Sequence, residues 1–184
     1  MTEALCTPQE VVSFWFEDID PEHWYKAYPE LDAECDRRFR ATHLAVSRNV
    51  GPAWRETPSA RLATLILFDQ MSRNIYRGSP LAFATDGLAR REARLALEAG
   101  ADQAVAPVQR AFFYLPFEHS EAMSDQDLAV QLFTALGDLV LLDFAVRHRE
   151  IVARFGRFPH RNAILGRMPS PQEEAFLLQP GSRF

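Results

Sequence analysis

The chain has 184 residues, of which 47% are hydrophobic and 24% charged, with a formal net charge of −5. That size and apolar content fit one domain spanning 1–184 with a sizeable core, and they exclude extended disorder. No membrane span is expected, because the most apolar stretch, Leu139 to Val146, is short and contains Asp143.

The opening MTEALCTPQE has neither a basic start nor an apolar core, so no secretory leader is expected, and residues 1–6 read as a mobile end. The two cysteines, Cys6 and Cys35, make no disulfide or metal framework, and a cytoplasmic location with reduced thiols follows.

Prolines mark the helix starts. Thr7-Pro8, Asp20-Pro21, Thr57-Pro58, Ser79-Pro80 and Ser170-Pro171 each set a capping residue before a proline, which is tolerated at the first helical position. Thr7 with Glu10 and Ser170 with Glu173 also complete a capping box. Pro29 opens a helix whose stripe is Leu31, Cys35, Phe39 and Val46. In 58–72, Leu62, Leu65, Ile66 and Asp69 share a face. Residues 86–99 form a helix stopped by Gly100, and 107–115 form another that ends at Pro116. The longest is expected over 125–155, with Leu128, Leu132, Phe133, Leu136, Leu139, Val140 and Phe144 inward and Gly156 as its stop. A short helix covers 171–178. No segment alternates as a strand would. The expected fold is all-α, with six to eight helices in antiparallel hairpins of solenoid-repeat size.

Charge is uneven. Residues 1–146 carry 13 Lys and Arg against 22 Asp and Glu, whereas 147–167 carry six Arg against Glu150 alone. A single basic segment in an acidic chain suits a small anion better than duplex nucleic acid or a membrane surface.

Three segments hold more polar residues than core helices need. In LFDQMSRNIYRG, Asp69 and Arg73 stand four apart and can pair on one face. In YLPFEHSE, the imidazole of His119 lies between the carboxylates of Glu118 and Glu121, the residue types of proton transfer near neutral pH. In RFGRFPHRN, Arg157, His160, Arg161 and Asn162 sit on a loop stiffened by proline and anchored by phenylalanines. His148 precedes this loop at the end of a long helix. Each segment also has a plain reading: a capped helix end with an ion pair, a hydrogen-bonded turn, or a connector whose guanidiniums bind carbonyls. No HxxxH or CxxC spacing occurs, so no metal is expected. No phosphate loop or dinucleotide fingerprint is present, so no cofactor is expected.

The combination of VVSFWF, LFDQMSRNIYRGSPLAFATD, YLPFEHSE and FGRFPHRNAILGR resembles domain-of-unknown-function family 924, from about residue 9 to the end. The resemblance implies a bacterial, all-helical fold similar to tetratricopeptide-like arrays, and no assigned activity.

Three functions follow from the residues. A binding module would hold a small anionic ligand or peptide through Arg73, His119, His148, Arg157, His160, Arg161 and Asn162. A small-molecule hydrolase or transferase would use His119 as general acid or base, oriented by Glu118 or Glu121, with Arg157 and Arg161 stabilising negative charge. In a structural protein, the same groups would be internal ion pairs. Nothing in the sequence specifies an oligomeric state.

Overall fold

The computed structural model describes residues 5–182. Among them are eight helices and no strand. They are α1 (Pro8–Ser13, running on as a π-helical turn, Phe14–Asp18), α2 (Pro29–Arg48), and α3 (Pro58–Leu65, a π-helical turn Ile66–Met71, then Ser72–Ile75). There follow α4 (Asp86–Glu98), α5 (Pro107–Glu118), α6 (Met123–Leu136), α7 (Leu139–Phe155) and α8 (Pro171–Leu177). None of the described helices is long and apolar enough to cross a membrane.

The proline rule holds at every marked start. Thr7, Asp20, Thr57, Ser79 and Ser170 each accept a backbone N–H at the first turn of a helix, though after Asp20 and Ser79 only short 3-10 turns form. Both capping boxes are complete. Residues 1–4 of the expected mobile end lie outside the described residues, and the Cys6 N–H donates to Thr42 Oγ1.

Two helix boundaries differ from expectation. The helix begun at Pro107 does not stop at Pro116 but runs to Glu118. Proline removes one N–H from the ladder, and a single missing bond does not end a helix whose next residue, Phe117, is fully buried. The long helix expected over 125–155 is two helices. Gly137, at φ +81°, ends α6, and the Asp138 carboxylate accepts from Val140 and Leu141 N–H to start α7. The break changes the helical phase. Leu139, Val140 and Phe144, expected inward, are 79%, 66% and 40% exposed.

The chain forms two compact units, Met1–Pro116 and Phe117–Phe184. In the first, α1, α2 and α4 all pack on α3. Ala89, Ala93 and Ala96 are fully buried and let α4 approach closely. Glu92 shares that buried face because Arg55 holds both its oxygens, at 2.7 and 2.6 Å. All six residues of the Ile66–Met71 π turn are buried, Asp69 and Gln70 among them. The second unit is built on the α6–α7 hairpin and a small core of Ile151, Val152 and Phe158, to which Phe155 and Phe176 add.

Candidate functional site

The second unit gathers most of the singled-out residues. Its first part is the turn after α5. Gln126, fully buried on α6, donates through Nε2 to Glu118 O and Ser120 O, both at 2.6 Å. These bonds satisfy carbonyls left open at the end of α5. The Ser120 hydroxyl donates to Asp125 Oδ2 at 2.7 Å and accepts from Ala122 N–H. The turn is thereby fixed from α6, and His119, half-buried, is held between two pinned neighbours. Asp125 and Gln126 were missed as site-shaping residues. Their sequence signal is only two polar side chains in the first turn of an apolar helix.

The second part is the loop after α7. Gly156, at φ +70°, ends the helix, and Phe158 turns fully into the core. Phe158 N–H donates to Glu121 Oε1 at 2.8 Å, and Arg161 Nη1 donates to His119 O at 3.0 Å. The Arg161 guanidinium lies 4.5 Å over the Phe158 ring, a cation–π contact made by a buried arginine. His148 meets that ring edge-on at 5.5 Å, and His160 lies 5.6 Å from it. The His119 and His148 rings are 6.2 Å apart. Two imidazoles and one guanidinium therefore lie against Phe158, and the His119 ring stands beside His148.

His148 is 5% exposed. Its Nδ1 lies 2.8 Å from Phe144 O and 3.3 Å from Glu118 Oε1. Both oxygens are acceptors, so Nδ1 carries the hydrogen. Burial, then the charges of His119 and Arg161, push the His148 pKa down to about 3, and the ring is neutral at pH 7. Half-buried His119 and His160 form the accessible part of the cluster.

The flanking residues are ion pairs. Glu121 takes a two-point contact from Arg167, at 2.7 and 2.9 Å. Burial raises the Glu121 carboxyl, but the Arg167 and Phe158 bonds outweigh it and leave it below the ordinary range. Arg167 Nε also donates to Asn162 Oδ1 at 3.0 Å, which fixes Asn162. Arg157 grips Glu173 at 2.6 and 2.8 Å and Met168 O at 2.9 Å. The Arg157 bonds hold the Glu173 carboxyl far below the ordinary range. Glu121 pairs with Arg167 and Glu173 with Arg157, because the loop after Phe158 folds back to bring Arg167 to the turn.

Arg73 belongs to the first unit. It lies 2.6 Å from Asp86 Oδ1, bonds Ala82 O, and stands 4.8 Å over Phe83. Asp69, its expected partner four residues earlier, is farther, at 3.7 Å. Among the described residues no group of three or more His, Cys, Asp or Glu could hold a metal ion.

Over residues 11–181 the sequence matches a family described as "Bacterial protein of unknown function (DUF924)". No curated protein matches. A solved structure of a protein of unknown function from Agrobacterium tumefaciens, ATU0120, is 42% identical, with a TM-score of 0.88 over 93% of this chain and 96% of that one. The four motifs, the helical fold and these matches agree, and the chain belongs to the DUF924 family of bacterial proteins of unknown function.

Proposed function

We infer that the protein is a binding module that takes a small anionic ligand, or an anionic group of a peptide, at the imidazole–guanidinium cluster of its second unit. The observation that carries the reading is the gathering of His148, His160 and Arg161 on Phe158, with the His119 ring beside His148. An anion there would meet Arg161, held in place by the ring and by His119 O, and the half-buried imidazoles of His119 and His160. Arg157 and Asn162 would then support the loop rather than touch the ligand, since Glu173 and Arg167 engage them. Arg73, held by Asp86, is not needed by this reading. Helical hairpins such as α6–α7 would suit a tetratricopeptide-like scaffold, and two free thiols suit a cytoplasmic location.

The test is titration with inorganic phosphate and with acetate, followed by the ring proton resonances of His119 and His160. Saturable shifts are expected, weakened at least tenfold (about 1.4 kcal/mol) in Arg161→Gln and in His160→Asn. Linear, non-saturating shifts, or equal affinity in both variants, would overturn the reading.

A second reading keeps His119 as general acid or base, because its backbone carries Arg161 at 3.0 Å. Loss of a hydrolase or transferase activity in His119→Gln, with stability kept, would favour it. If instead each substitution mainly lowers the melting temperature, the groups are structural.

A further inference from the structure

The second unit has an open notch of about 490 Å³, lined by Arg154, Phe155, Arg157, Ser170, Gln172 and Glu173. None of these is a residue of the imidazole cluster. The Arg154 guanidinium lies 4.7 Å over the Phe155 ring and 5.8 Å over Phe176. Phe155 and Phe176 pack against each other at 5.0 Å and onto the core of Phe158, Ile151 and Val152. An otherwise flexible side chain is thus laid along a fixed aromatic surface.

Arg154 makes no ion pair among the described residues. Arg157 differs: its Nε and Nη2 are taken by Glu173, which in turn accepts Ser170 N–H. The carboxylate of Glu173 therefore neutralises Arg157, and the notch keeps one net positive charge, on Arg154. Arg157 Nη1 makes no hydrogen bond to a described residue and adds a second donor.

We propose that this notch is a second site, for a monocarboxylate with an apolar body. The carboxylate takes the two-point contact of Arg154, with Arg157 Nη1 beside it, and the body lies against Phe155. One net charge matches one carboxylate and underfills a phosphate dianion. The aromatic wall gives an apolar body something to displace water from, which inorganic ions lack.

The probe is N-acetylphenylalanine, with its neutral methylamide as control, titrated calorimetrically into the whole protein. The acid is expected to bind saturably. The methylamide and the Arg154→Gln variant should each lose at least tenfold in affinity. Arg154 is exposed, so this variant keeps the fold. Arg161→Gln should leave this binding unchanged, which separates the notch from the imidazole cluster. No saturable binding of the acid, equal binding of the methylamide, equal affinity in Arg154→Gln, or tighter binding of inorganic phosphate in the notch would each overturn the proposal.

Discussion

Two buried imidazoles make this protein acid-labile in a defined window. His148 is 5% and His43 3% exposed. His43 Nε2 lies 3.3 Å from Thr85 Oγ1, whose hydroxyl donates to Phe68 O, so Nε2 carries the ring hydrogen. The Tyr76 hydroxyl stands 3.3 Å from Nδ1, and Arg40 lies 5.0 Å over the Tyr76 ring. Burial, then the Arg40 charge, push His43 down to about 4, while His148 goes to about 3 from an ordinary 6.5. Between those values and 6.5 the folded state binds fewer protons than the unfolded chain. Stability is therefore fully present above 6.5 and falls as pH drops toward about 4 and about 3. From about pH 7 to about pH 5, each ring removes about 2 kcal/mol, together a large part of a typical stability of 5–15 kcal/mol. The depressed carboxylates of Glu92 and Glu121 have an ordinary value of 4.5 and lose stability mostly below pH 5. The interval from about pH 5 to about pH 6.5 thus isolates the imidazoles. Urea unfolding across it should show a loss of about 3 kcal/mol, reduced by about half in His148→Gln. A flat profile in the wild type, or ring protons of His43 and His148 that titrate near 6.5, would refute the argument.

Other consequences are equally direct. Phe158→Ala empties the centre of the second unit's core and removes the surface on which Arg161 rests; a loss of about 3–5 kcal/mol is expected in urea unfolding. Gly137→Ala meets no atom within 4 Å but forces a side chain into φ +81°, and should lose about 1–2 kcal/mol by the same assay. Asp138→Ala removes the cap of α7 and should lose about 1 kcal/mol. Glu92→Gln weakens both contacts to Arg55, which stays one-third exposed; about 1–2 kcal/mol is expected from thermal melts. The Cys35 thiol is fully buried and pushed by burial up to about 12, so iodoacetamide should leave it unmodified in the native protein and alkylate it in urea.

Helix starts were legible in the sequence because capping is local. Thr7, Thr57 and Ser170 need only the N–H two or three residues ahead, and Pro8, Pro58 and Pro171 need only their own rings. The stripe of Cys35, Phe39 and Val46 was legible for the same reason: helical period alone sets it. The break at Gly137-Asp138 was also local, but an apolar run on both sides masked it, and Leu139 and Val140 came out exposed. The pairing of charges was not local at all. Arg167 reaches Glu121 across 46 positions and Arg157 reaches Glu173 across 16, and which carboxylate an arginine grips depends on how the loop after Phe158 returns to the turn after α5. The sequence by itself therefore determined which segments coil and where they start. Only tertiary structure decided which imidazoles and which guanidinium meet at Phe158, because side-chain partners are chosen by packing in space and not by spacing along the chain.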